Sequence, residues 1–209
     1  MKYQIIFLLG ALILIQLSGC ASFLSQEPLQ EKEQEQEPGQ TPAQSPTLAQ
    51  QNNWSITGKL GIRTPQKAQS INLIWQQKNN NYTIKFNGPI GFGAATIKGN
   101  HQQVTIQKGS QELIGTPEQM GTKLLGVPLS VNAMSWWAKG LISPTHNQAS
   151  NIKFQDDGPI SSFRQNGWQL NFSDYVANGG YMVPKKISGR YGDVSFKLVI
   201  NQWQFFTPW

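Results

Sequence analysis

Apolar residues recur at every second position through most of the chain beyond residue 53, and that period leaves few architectures open. Ile56, Gly58, Leu60 and Ile62 share one side of an extended chain. So do Ile71, Leu73 and Trp75, and then Tyr82, Ile84 and Phe86. Further on, Trp168, Leu170 and Phe172 alternate with Gln169, Asn171 and Ser173, and Val194, Phe196, Leu198 and Ile200 with Ser195, Lys197 and Val199. Each stretch reads as a half-buried antiparallel strand. Turn-forming clusters separate them: Lys78-Asn79-Asn80-Asn81, Gly99-Asn100, Asn166-Gly167, Asn178-Gly179-Gly180 and Tyr191-Gly192-Asp193. About ten or eleven strands at this spacing predict a mainly β fold, a meander curled into a barrel or half-barrel.

The middle of the chain breaks the period. Thr116-Pro117-Glu118 looks like an N-cap followed by Pro at the first helical position. Met120, Leu124 and Leu125 then form a helical stripe that Gly126 can end. A second stripe holds Val131, Met134, Trp137 and Leu141, with Trp136 alongside and Gly140 and Pro144 near its end. Two short helices that plug one mouth of the curved sheet are expected.

The N-terminus carries an address. Met1-Lys2 is followed by an apolar run from Ile5 to Leu14, too short to span a bilayer comfortably, and then by Leu17-Ser18-Gly19-Cys20. The Leu-Ser-Gly-Cys ending resembles the lipobox of bacterial lipoproteins. That resemblance implies a signal peptide over 1–19, lipidation of Cys20, and a mature chain hung from a membrane by acyl chains, two or three of which anchor stably. Ala21 and Ser22 follow where enteric lipoproteins kept in the inner membrane carry Asp, which implies the outer membrane. Cys20 is the only cysteine, so neither a disulfide nor a thiol nucleophile remains.

Residues 20–53 read as a lipidated, disordered tether. Gln, Glu, Pro, Ser and Thr dominate beyond Ser25, and only Leu29 and Leu48 could pack, apart from a helical turn weakly signalled near Pro46 to Gln51. Residues 54–209 form one domain long enough for a real core. It holds 15 of the 17 basic residues and, without the five tether glutamates, 6 of the 11 acidic ones, a net of +9. Outside the cytoplasm such a charge suits anionic lipid headgroups or an acidic protein surface.

Catalytic chemistry finds no support. His101 and His146 sit in turns without a second ligand at metal spacing, so no metal site is expected. Asp156-Asp157 adjoin Gly158-Pro159, a turn composition. Gly88, Gly91 and Gly93 lie between two strands, with no helix to hold a phosphate. No cofactor is expected. The turn itself is unusual, because Pro89-Ile90-Gly91-Phe92 puts two apolar side chains where hairpins normally place polar residues, as an exposed membrane-touching finger would.

Several segments, in order, resemble the outer-membrane lipoprotein receptor family LolB. They are Asn87-Gly88-Pro89-Ile90-Gly91-Phe92-Gly93, Gly126-Val127-Pro128-Leu129 leading into Met134-Ser135-Trp136-Trp137, Gln165-Asn166-Gly167-Trp168, Val183-Pro184-Lys185-Lys186-Ile187 and Lys197 to Trp203. The resemblance implies an unclosed antiparallel β-barrel with a helical lid over an apolar cavity. It implies a receptor that takes acylated lipoproteins from a soluble periplasmic carrier and inserts them into the outer membrane, without catalysis. Trp75, Phe86, Met120, Leu124, Met134, Trp136, Trp137 and Trp168 are the expected cavity and lid. Pro89, Ile90, Gly91 and Phe92 are the expected insertion loop, and Lys185, Lys186 and Arg190 the basic docking rim of a monomer. Family members usually carry a longer helix before the first strand, so part of the lid is expected to be reduced. A lipid- or glycolipid-binding lipoprotein on the same fold remains an alternative, as does a scaffold lipoprotein with no apolar cavity.

Overall fold

Eleven strands join in one antiparallel sheet whose first and last strands in sequence are neighbours at its centre. A computed structural model describes residues 46–87, 94–144, 147–156 and 158–206. They belong to the larger of the two units into which the chain divides, Thr41–Trp209. The strands are β1 (Asn53–Arg63), β2 (Ala68–Lys78), β3 (Asn81–Asn87), β4 (Ala95–Gly99), β5 (Val104–Lys108), β6 (Gln111–Gly115), β7 (Ser150–Phe154), β8 (Ile160–Gln165), β9 (Trp168–Asn178), β10 (Tyr181–Tyr191) and β11 (Val194–Phe205). Their order is β6-β5-β4-β3-β2-β1-β11-β10-β9-β8-β7. Every neighbour except the β1–β11 pair is also a neighbour in sequence, so hairpins build the sheet. Among the described residues β6 and β7 do not pair, and the sheet stays unclosed.

The chain between those two edges holds the helices α2 (Pro117–Leu125) and α3 (Val131–Ala138); α1 (Pro46–Ala49) precedes the sheet. Thr116 caps α2 as its sequence suggests, in a reciprocal capping box with Gln119, and Gly126 ends it at φ 71°. Ser130 caps α3, which stops at Ala138, short of the expected stripe that ran to Leu141. The reason is Gly140, whose φ of +76° turns the chain out of the helix.

The alternation decides the register. Leu60 pairs with Ile71 on one side and Leu198 on the other, so apolar side chains line up across strands on the inner face. The opposite face collects Lys59, Arg63, Lys186, Arg190 and Lys197 in matching rows. Between Thr57 and Gly58 the register with β11 shifts by one residue at a bulge. A Cβ on Gly58 would collide with the carbonyl of Val199, so only glycine lets the two central strands approach there.

Part of the segment read as tether is structured. The tether read through residue 53 gives way to a helical turn at Pro46–Ala49, and Leu48 is buried in the core.

Candidate functional site

The inner face of the sheet divides into two unlike halves. On the β7–β10 side it is filled. Trp168 packs against Trp137, Tyr191 and Phe196 at centroid distances of 6.4, 5.6 and 5.4 Å, and Phe163 stacks on Phe172. The indole N–H of Trp168 donates to the Pro128 carbonyl at 2.8 Å. Gln165 locks this half: its Oε1 accepts from Trp137 Nε1 and Ser143 N at 3.0 and 3.1 Å, and its Nε2 donates to the carbonyls of Ser143 and Asn147 at 2.8 and 3.0 Å.

On the β1–β5 side the face encloses a cavity of about 360 Å³. Strand β1 contributes Leu60 and Ile62, β2 contributes Ile71, Leu73 and Trp75, and β3 contributes Ile84 and Phe86. Ile97, Val104 and Ile106 of β4 and β5 continue the wall, and Phe196 and Leu198 of β11 close it. The lid comes from the helical segment, as Met120, Leu129, Val131 and Met134. The lining is thus almost wholly hydrocarbon, with Lys67, Gln69 and Lys108 standing where β1 turns into β2 and β5 ends. Those positions mark a mouth, and the ends of β3 and β4 at Asn87 and Ala95 lie on the same rim.

Trp137 and Trp168 are both buried in the filled half and do not line the cavity. Trp136 is half-buried beneath Lys139, whose Nζ sits 4.6 Å from its ring centre, and it too is off the cavity wall. Helical spacing cannot distinguish a side chain facing a void from one facing another tryptophan. The side chain of Leu124 and the loop with Pro89, Ile90, Gly91 and Phe92 lie outside the described residues, as do His146 and Asp157.

The expected basic rim separates into parts. Lys186 is paired with Asp174 at 2.6 Å, and the hydrogen bond from Lys186 holds the Asp174 carboxyl below its ordinary range. Arg190 stands instead in a cross-strand row with Ser195 and Arg63. Lys185 is out of step with both in the strand alternation.

Sequence reasoning passed over Lys139. It is buried, and its Nζ donates to the carbonyls of Leu48, Ala49 and Gln51 at 3.3, 3.4 and 3.1 Å. Burial lowers its pKa to about 8. It also passed over three buried polar atoms, Trp75 Nε1, Gln77 Oε1 and Tyr82 Oη, that find no partner among the described residues. Burial, with the nearby Glu118 carboxylate adding to it, raises the Tyr82 hydroxyl well above its usual range. The remaining cavity residues were visible only as strand interiors, since alternation reports burial and not what a side chain is buried against.

A family model described as "Outer membrane lipoprotein LolB" matches residues 52–203. The chain is 34% identical over 206 residues to the outer-membrane lipoprotein LolB of Pseudomonas syringae pv. syringae (strain B728a), across 98% of this chain and 96% of that one. It is 33% identical over 189 residues to the protein of that name from Pseudomonas fluorescens, across 90% of each. Among solved structures, the crystal structure of a LolA superfamily protein from Nitrosomonas europaea covers 76% of this chain and 88% of its own, with a TM-score of 0.54 at 10% identity, a likeness of fold.

Proposed function

Since this chain belongs to the LolB family of outer-membrane lipoproteins, we propose that its cavity shelters the acyl chains of an incoming lipoprotein between a soluble carrier and the outer membrane. The family function is that of a non-catalytic receptor in lipoprotein localisation at the outer membrane, with a LolA carrier and cargo lipoproteins as the implied partners. The observation that carries the proposal is the cavity, whose lining is almost wholly hydrocarbon. Each buried methylene gains about 0.8 kcal/mol, so acyl chains need such a wall whenever they leave a bilayer. The scaffold alternative required a domain without an apolar cavity, and this one has it.

The unpaired edges β6 and β7 give the half-barrel a way to widen without breaking ladder hydrogen bonds, with α2 and α3 riding on the opening. Nothing in the exchange needs an energy source if affinity increases from carrier to receptor to membrane.

Both exchanges would pass through the mouth, where Lys67 and Lys108 stand. The loop carrying Ile90 and Phe92, whose flanking strands end on the same rim, is the proposed insertion finger. Cys20 is the proposed lipid anchor, and the segment between it and Pro46 the tether.

The test is to mix the receptor with a carrier–lipoprotein complex in the absence of membrane and separate the two proteins. Cargo recovered on the receptor supports the proposal. Cargo that stays with the carrier, while free phospholipid binds the receptor, favours the lipid-binding alternative.

A further inference from the structure

A second recess lies on the other face of the sheet, at the mouth end. It is a shallow groove of about 510 Å³ that crosses β1, β11 and β10. Arg63 of β1 pairs with Ser195 of β11, and Ser195 pairs with Arg190 of β10, so the three share one face in one cross-strand row. Adjacent strands lie about 4.8 Å apart, which puts the two arginine Cα atoms roughly 10 Å from each other with only a serine between them. Lys197 follows on the same face, two residues along β11, beside Ser188 and opposite Gly61. The small residues make the depression and the long cations surround it.

The charge there is uncompensated. No carboxylate among the described residues lies within ion-pair distance of Arg63, Arg190 or Lys197, and none lines the groove. The contrast with Lys186, two rows from Arg190 on the same strand and paired with Asp174, shows that this face neutralises cations elsewhere. All three side chains are exposed.

We infer that Arg63, Arg190 and Lys197 form a binding site for the phosphate of a membrane lipid headgroup. Two guanidinium groups flanking a hydroxyl in one cross-strand row, with an ammonium in the next row, supply the multiple charged donors that a tetrahedral phosphate accepts. The groove sits at the end of the sheet where the cavity opens, sharing Ile62, Gln69 and Phe196 with it. A phosphate held there fixes the sheet against the bilayer surface with the mouth facing lipid. The inference rests on the receptor reading for its purpose, but the binding itself does not.

The experiment uses the full mature chain secreted behind an ordinary signal with Cys20→Ser, so that no acyl anchor contributes. Its binding is measured on vesicles of phosphatidylcholine with and without phosphatidylglycerol, and against inorganic phosphate alone. Each basic residue near an anionic surface contributes about 1 kcal/mol, so Arg63→Gln with Arg190→Gln should lower vesicle affinity by roughly tenfold or more. Lys85→Gln with Lys98→Gln, which removes the same charge from another part of the sheet, should change it by less than about threefold. Chemical-shift changes at Ser195 and Ser188 on adding vesicle lipid place the site. Equal losses from the two double variants would replace the site with a general charge effect and overturn the inference. Tight binding of inorganic phosphate with no vesicle binding would assign the site to a free anion. Unchanged vesicle binding with weakened carrier association would assign it to a protein partner. Transfer of cargo from carrier in solution should be normal in Arg63→Gln with Lys197→Gln, which separates this site from the cavity.

Discussion

Lys139, at the C-terminal end of α3, donates from Nζ to the main-chain oxygen of Leu48 at 3.3 Å, across 91 residues of sequence. With the parallel bonds to Ala49 and Gln51, one ammonium terminates the short leading turn and fastens it to the lid. Charge-assisted bonds of this kind are stronger than neutral ones, and their loss leaves buried carbonyls without donors. Lys139→Met keeps the stem but removes the donors. It should cost about 1–3 kcal/mol and speed hydrogen exchange over residues 46–52 before the rest of the domain responds. Unaltered exchange there would show that the turn is held by Leu48 packing alone.

The same lysine makes stability depend on pH. Its pKa is about 8 in the fold and 10.5 in the unfolded chain. Between those values the unfolded chain holds a proton that the folded one has lost, so the contribution of Lys139 to stability rises with pH across that window and is constant below it. The rise is at most about 3 kcal/mol. Denaturant titrations at pH 7.5 and pH 10 should show it as a difference between the wild type and Lys139→Met.

Gln165→Leu should be among the most damaging single changes. It preserves approximate volume but strands the Trp137 indole N–H, the Ser143 N–H and two carbonyls in the filled half. Each orphaned buried group costs about 1–3 kcal/mol. Thermal unfolding should fall sharply, with cargo acceptance lost only as far as the fold is lost.

Filling the cavity separates function from fold. Ala95 lines it near the mouth and is only half-buried, so Ala95→Trp can occupy free space without displacing packed neighbours. The melting temperature should stay within a few degrees, whereas acceptance of acylated cargo from the carrier should drop by roughly tenfold or more, since about 2 kcal/mol of apolar burial is denied to the acyl chain. Full acceptance by a folded Ala95→Trp would move the binding surface away from this cavity.

Gly58→Ala tests the bulge. Its new methyl group meets the Val199 carbonyl, which belongs to a central strand and cannot swing aside. A loss of about 2–4 kcal/mol is expected, against roughly zero for Gly109→Asn in an open turn with φ of +58°. Chemical denaturation of the two variants gives the comparison.

The finger separates receiving from delivering. Ile90→Glu and Phe92→Glu should leave folding and cargo acceptance intact while cargo stalls on the receptor, because a charge at a loop tip resists desolvation into acyl chains. A fall of several kcal/mol in stability, with both steps lost together, would identify Ile90 and Phe92 as core.

Period-two alternation by itself determined that the chain forms a sheet, which residues point inward, and where hairpins turn. These are local matters, since backbone pleat and turn geometry act over two to four residues. Asn166-Gly167 shows it: both take positive φ, 52° and 79°, as a two-residue hairpin turn requires. The capping box at Thr116 was legible for the same reason. What only the tertiary structure decided is which inward face meets solid packing and which meets a void. Trp168 and Trp75 have the same alternation and the same aromatic character, yet Trp168 is enclosed by three aromatic rings and Trp75 lines the cavity. That difference depends on where the α2–α3 segment crosses between the unpaired edges β6 and β7, a relation among elements far apart in sequence. The grouping of Arg63, Arg190 and Lys197 depends likewise on β1 lying beside β11, a pairing across more than 130 residues that no local pattern encodes.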